Sequence, residues 1–95
     1  MKLEKKYFVY ILECKDKSFY TGITTDLNRR VLEHNSAGNL GAKYTKMRQP
    51  VKLIYSEDAK NKSKALKREY EIKKLKRLEK EDLIGWKNKK SLVKK

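Results

Sequence analysis

A chain of 95 residues fits one domain with a small core, since chains divide into several domains only at much greater length. Hydrophobic residues make up 38% and charged residues 40%, enough apolar content to exclude a disordered chain. The formal net charge of +14, from 26 Lys and Arg against 12 Asp and Glu, argues for a polyanionic partner, nucleic acid ahead of a membrane surface. The lone cysteine, Cys14, excludes an internal disulfide and a cysteine-built zinc site, and sits in an apolar run as a core residue. The chain has no signal peptide and no apolar stretch of spanning length. A cytoplasmic location without a membrane partner is therefore expected.

Residues 7–14, YFVYILEC, are apolar, β-branched or aromatic on both parities. That pattern predicts a strand covered on both faces. A polar break, Lys15-Asp16-Lys17-Ser18, leads into a second strand, Phe19 to Ile23, and the two form a hairpin. A two-residue turn at Asp16-Lys17 pairs Tyr10 with Ile23 and sends Tyr10 and Tyr20 to opposite faces. A three-residue loop, Lys15 to Lys17, pairs Tyr10 with Gly22 and puts both tyrosines on one face, at the cost of Lys17 near the left-handed region.

Thr25 reads as an N-cap, with Asp26 in the first turn, for a helix running to about Ser36 and stopped by Gly38. Leu27, Val31 and His34 share its inner face; Arg30 borders that face and Arg29 points away. The segment Gly38 to Gln49 reads as loop with one short helix. Pro50 precedes a third strand, Val51 to Tyr55. A long helix over about Ser63–Arg77 and a shorter one over about Glu79–Ile84 follow, then a basic tail from Lys87. The order is ββααβαα, helices around a small sheet in an α+β domain, with residues 1–84 as the domain and 85–95 as the basic tail.

In the long helix, Ala65, Glu69, Ile72 and Leu75 or Lys76 fall on one face, with Glu69 in its middle. A carboxylate there costs free energy unless it is paired or bound to a cation. One account is a salt bridge to Arg30 or a neighbouring lysine; the other is a metal site. Glu71 lies on a different face as a solvated partner of Lys67 or Lys74. Arg30 suits bidentate phosphate recognition, though a surface helix charge would read the same way. His34, four residues on, has no second His or Cys beside which to bind zinc. Tyr10 and Tyr20 are ordinary strand aromatics by default; phenols relay protons where cations lower their pKa.

The ordered set of these residues resembles the GIY-YIG nuclease family, in particular its small stand-alone bacterial members. Phe8-Val9-Tyr10 stands where the first signature has Gly-Ile-Tyr, keeping the tyrosine, and Tyr20-Thr21-Gly22 stands at the second. Arg30 falls at the family's helix arginine and His34 at a histidine of many members. Glu69 matches the metal-binding glutamate and Asn88 the late asparagine that supports the site. The run from His34-Asn35 through Gly41-Ala42-Lys43-Tyr44-Thr45 to Pro50 and Leu53 also looks like the stand-alone members.

The resemblance implies a three-stranded antiparallel sheet flanked by helices, with a shallow site on one sheet face. It implies one divalent ion, Mg²⁺ or Mn²⁺, on Glu69 and a phosphate oxygen, with water attacking phosphorus in line. Tyr10 is then the preferred base or proton relay and Tyr20 orients the water or metal hydrate, the two roles being interchangeable at this level; Arg30 holds the scissile phosphate and His34 assists by supporting these groups or by proton transfer. Lys43, Lys67, Arg68 and Lys73 are the expected phosphate contacts, and Gly22 keeps space open opposite Tyr10. Separate domains often supply specificity in this family. None is visible here, so weak, largely sequence-independent DNA binding by a monomer is expected, with a protein partner as the source of specificity and DNA repair or processing as the setting. Two other readings remain open at this level: a nucleic-acid-binding module with little cleavage, and a structural domain on a degenerate scaffold. Convergence of Tyr10, Arg30 and Glu69 in the fold separates the last from the others.

Overall fold

A computed structural model describes residues 6–36 and 42–85; Gly38, Asn88 and the tail from Lys87 lie outside the described residues. The elements are β1 (Tyr7–Glu13), β2 (Phe19–Thr24), α1 (Leu27–His34), α2 (Lys43–Lys46), β3 (Lys52–Ala59), α3 (Lys62–Lys73) and α4 (Arg77–Ile84), the order expected from sequence. The sheet is antiparallel with strand order β2-β1-β3. β1 is central, which is why its apolar residues run through both parities. Val9 and Ile11 pack with Ala65 and Ile72 of α3. Tyr10, Leu12 and Cys14 pack on the other face with Val51, Leu27 and Val31. Burying an aliphatic side chain of this size contributes about 1.5–3 kcal/mol.

The hairpin takes the three-residue loop. Tyr10 pairs with Gly22 and Leu12 with Tyr20. The Cys14 amide donates to the Ser18 carbonyl at 2.8 Å, and Lys17 adopts φ 73°. Asp16 makes this loop the better choice. Its carboxylate accepts from the Ser18 amide at 3.1 Å and hydroxyl at 2.6 Å, a local turn that fixes the backbone two residues on.

Boundaries differ from expectation where side chains claim backbone groups. Asp26, not Thr25, caps α1, its carboxylate accepting from the Arg29 amide at 3.0 Å. The helix ends at His34, short of Ser36, because Asn35 is taken up by a clamp to the next strand. Its amide donates to the Val51 carbonyl at 2.9 Å and accepts from the Val51 amide at 2.8 Å. β3 runs on to Ala59, four residues past Tyr55, since the start of β1 needs partners and Ser56 to Asp58 pair along it. One face of this edge strand is exposed, so its polar residues cost nothing there. The long helix stops at Lys73 rather than Arg77: Glu79 accepts from the Lys76 amide at 2.8 Å and starts a new helix.

α3 is tied to β3 by Arg68, whose guanidinium meets Glu57 at 2.7 Å and Glu71 at 3.3 Å. Tyr55 also donates to Glu57. The hydrogen bond to Glu57 is the chief reason the Arg68 pKa is raised. This corrects two expectations. Arg68 is held by carboxylates instead of standing ready for phosphate, and Glu71 pairs with Arg68, not with Lys67 or Lys74.

Candidate functional site

The register sets Tyr10 and Tyr20 on one sheet face, and Gly22 decides how closely they meet. An alanine Cβ at position 22 would lie 2.6 Å from Tyr10 Oη and 2.8 Å from its Cζ. The Tyr10 ring therefore lies across the edge strand, directly over Gly22. The Tyr10 and Tyr20 ring centroids are 6.4 Å apart, and Tyr20 also packs edge-on against His34 at 5.2 Å, within the range of favourable aromatic contacts.

His34 carries a short polar chain into this cluster. Its Nε2 is 2.9 Å from Tyr10 Oη and its Nδ1 is 2.7 Å from Thr45 Oγ1. Thr45 donates its hydroxyl proton to the Ala42 carbonyl at 3.0 Å. The Ala42 amide donates to the same His34 Nδ1 at 3.4 Å, so Nδ1 meets a hydroxyl and an amide while Nε2 meets the Tyr10 hydroxyl. His34 is fully buried. Burial above all, then the nearby Arg30 charge, lowers its pKa from 6.5 to about 4, and the imidazole is neutral at physiological pH.

Arg30 closes the cluster from α1. It hydrogen-bonds Tyr10 and pairs with Glu33 at 2.9 Å. Burial works against its charge, but the hydrogen bonds to Glu33 and Tyr10 outweigh it and hold its pKa above the ordinary value. Burial likewise pushes the Tyr10 phenol up to about 12, against the pull of Arg30. Tyr10 is thus a protonated phenol at neutral pH.

Glu69 lies on the inner stripe of α3, between buried Ala65 and Ile72, with its side chain 17% exposed. It lies near enough to Tyr10 to raise the phenol's pKa by its charge. Its ion-pair partner is the neighbouring-lysine option, Lys73, at 3.0 Å. Among the described residues there is no group of three or more His, Cys, Asp or Glu side chains that could hold a metal. The donor set is one hard carboxylate. That suits Mg²⁺, which keeps most of its waters and takes one or two carboxylates plus substrate phosphate oxygens.

Tyr10, Tyr20, Arg30, His34 and Glu69 are thus gathered around the middle of the edge strand β2. Lys73 joins them through Glu69. Lys43 and Lys67 are exposed on α2 and α3, and Asn88 lies outside the described residues. The substitutions in the first signature are legible too. Val9 faces the opposite core with Ile11 and Ala65, so isoleucine-to-valine there touches packing and not the site. Phe8 lines a surface cleft with Lys6, Thr25 and Asp26. Two residues with a positioning role escaped the sequence pattern: Thr45, which meets His34 Nδ1 at 2.7 Å, and Glu33, which holds Arg30. The i,i+3 spacing of Arg30 and Glu33 was the available signal for the second.

The buried neutral imidazole has a measurable consequence. The unfolded chain protonates His34 near pH 6.5, whereas the folded chain resists until about 4. Between these values the unfolded state binds more protons, so stability falls as pH falls. The expected loss from pH 7 to pH 4 is about 3 kcal/mol from this group. Urea denaturation across that range should show the slope in the wild type and lose it in His34→Gln.

Residues 6–82 match the family model of the GIY-YIG catalytic domain. A UPF0213 protein of Staphylococcus saprophyticus is 52% identical over 80 residues, covering 84% of this chain and 95% of that one. A UPF0213 protein of Halobacterium salinarum is 54% identical over 78 residues, covering 82% and 99%. The solution NMR structure of a UPF0213 protein from Bacillus halodurans matches with TM-score 0.54 and 48% identity over 86% of this chain and 85% of that chain. That of a protein from E. faecalis matches with TM-score 0.57 and 39% identity over 90% and 91%.

Proposed function

The chain belongs to the GIY-YIG family, a family of nucleases, and on that premise we propose that it is a metal-dependent endonuclease hydrolysing DNA phosphodiester bonds with low sequence specificity. The observation that carries this reading is the hydrogen-bonded line Arg30–Tyr10–His34 lying over Gly22, with Glu69 beside it. It sits on a chain of net charge +14, which draws a phosphate backbone without reading bases.

Arg30 points its guanidinium at the same place as Tyr10 Oη. It holds the scissile phosphate and stabilises the negative charge that grows as water attacks. The attacking water sits against Tyr10. As its oxygen bonds to phosphorus, its proton passes to Tyr10 Oη, whose own proton passes to His34 Nε2, and the bond from phosphorus to the leaving oxygen breaks. The raised pKa of Tyr10 makes it a relay rather than a standing phenolate. In this relay the His34 ring proton is on Nδ1, toward Thr45, so that Nε2 accepts, and Tyr20 holds the imidazole ring and the attacking water in place. Glu69 would hold one Mg²⁺ or Mn²⁺ with substrate oxygens, and that ion would supply Lewis-acid stabilisation of the leaving oxygen. With Glu69 holding the ion, Lys73, which is 53% exposed, would turn from Glu69 to the phosphate chain. Action on DNA in repair or processing by a monomer, with specificity lent by a partner protein, fits a chain with so little base-reading surface.

Incubation of plasmid and branched DNA with Mg²⁺ or Mn²⁺ tests the reading. Nicking should vanish in EDTA and in Glu69→Ala. Equal nicking by wild type and variant would mark a contaminant. Salt-sensitive binding without cleavage would leave a nucleic-acid-binding module instead.

A further inference from the structure

Beside the site, a cleft of about 270 Å³ is lined by Phe19, Tyr20, Thr21, Tyr44, Lys73 and Lys80. Odd and even positions of β2 both contribute, so the cleft wraps the edge of the sheet. Tyr44 on α2 walls one side, and Lys73 of α3 and Lys80 of α4 wall the other. Two of these residues also belong to the site: Tyr20 packs on Tyr10 and His34, and Lys73 pairs with Glu69. The cleft therefore begins where the scissile phosphate would lie.

Its chemistry is an aromatic wall facing the ammonium groups of Lys73, paired with Glu69, and Lys80. The Tyr20 and Tyr44 rings are nearly parallel, at 24° with centroids 6.0 Å apart. The Arg48 guanidinium lies 3.9 Å from the Tyr44 ring centre and is anchored to Asp16 at 3.1 Å and to the Tyr44 carbonyl at 2.9 Å. Arg48 thus braces Tyr44 by covering one of its faces, and Arg77 covers Phe19 in the same way at 3.7 Å from its ring centre, which leaves the remaining surface of Tyr20 and Tyr44 to the cleft. Lys80 is half-buried and has no carboxylate partner among the described residues. Burial first, then the Arg77 and Lys73 charges, lower its pKa. A cation held this way is unfavourable until an anion arrives. Stacking faces beside phosphate-binding cations are what proteins use to hold unpaired nucleotides.

We propose that this cleft binds an unpaired nucleotide adjacent to the scissile phosphodiester, its base against the Tyr20–Tyr44 wall and its phosphate on Lys80 and Lys73. The proposal rests on the nuclease reading and names its substrate class: strands that are single, or opened on one side of the cut. A base inside a duplex is covered on both faces by its neighbours and has none to offer the wall.

The test is fluorescence anisotropy with the full wild-type chain in EDTA. Three probes are compared: a labelled single strand of about 12 nucleotides, a typical groove length, a base-free deoxyribose-phosphate strand of equal length, and the blunt duplex. The wild type should prefer the strand with bases about ten-fold over the base-free one. Tyr44→Ala should lose that preference and Tyr44→Phe keep it. Lys80→Gln should weaken single-strand binding several-fold, lower the slope of log affinity against log salt by about 0.7, and leave duplex binding nearly unchanged. Equal binding of the base-free strand by wild type, or equal weakening of single strand and duplex by Lys80→Gln, overturns the proposal. If Tyr44→Ala loses its circular-dichroism signal, the Lys80→Gln salt slope and the wild-type base preference decide alone. The same preparations are assayed with Mn²⁺ for Glu69-dependent cutting of the single strand. Base-selective binding without cutting fails only the nuclease reading; cutting without any Lys80 or base dependence fails only the cleft.

Discussion

Replacing Glu69 with alanine is expected to lower metal-dependent cleavage about 10³-fold while leaving thermal stability unchanged or slightly higher. The two halves of this outcome have separate physical origins. Glu69 sits in the stripe between buried Ala65 and Ile72, where a carboxylate is a poor core residue. Alanine is the better helix former and removes that charge. Lys73, left behind, is already 53% exposed and turns into water, so no buried charge is orphaned. Activity, by contrast, loses the carboxylate whose charge acts on Tyr10. Steady-state kcat/KM for nicking of supercoiled plasmid, read beside urea denaturation of the same protein, checks both halves. A loss of activity that tracks a fall of several degrees in Tm, about 1 kcal/mol, would make Glu69 a structural ion-pair partner and remove the metal from the reading.

Gly22→Ala is expected to lose both stability and activity. The new Cβ would meet Tyr10 Oη at 2.6 Å, Tyr10 Cζ at 2.8 Å and Tyr20 Cε2 at 3.1 Å. Neither ring can withdraw freely: Tyr10 is buried and bonded to His34 at 2.9 Å, and Tyr20 packs between Tyr10, His34 and Tyr44. Overpacking of this kind costs about 1–3 kcal/mol. Displacing Tyr10 by about an ångström from Arg30 and His34 would cost about 10²-fold in rate. A double-mutant cycle with Tyr10→Phe measures the coupling. The phenylalanine removes the nearest clashing atom, so the stability losses should fall short of their sum. Additive losses would mean that Gly22 matters for its own backbone and not for the ring above it.

These expectations rest on different amounts of sequence. Glu69 announces itself, because a carboxylate in an apolar stripe at helical spacing is a local contradiction any reader of the chain can see. Arg30 over Arg29 follows from helix phase alone. Gly22 is harder. Its importance depends on the hairpin register, and the sequence allows two. The choice between them lies in the side chain of Asp16, which bonds Ser18 and stabilises the odd loop despite the positive φ of Lys17. Arg68 shows the opposite failure. Counted among the basic residues it reads as a phosphate contact, yet Glu57 lies eleven residues earlier on β3 and takes its guanidinium at 2.7 Å. No spacing rule links a strand residue to a helix residue across an intervening turn.

By itself the sequence determined the element order, the two-sided burial of β1, the high positive charge and the set of candidate site residues, since each is written in local periodicity or composition. Tertiary structure decided which face the two tyrosines share, which cations already pair with carboxylates, and that His34 stands between Tyr10 and Thr45. It also decided that Lys80, one lysine among many along the chain, stands half-buried beside an aromatic wall. Those outcomes depend on register, on the end of α1 clamped by Asn35 to Val51, and on helices meeting opposite faces of one sheet. Contacts between residues far apart in the chain are set by packing, and packing is not a local property of sequence.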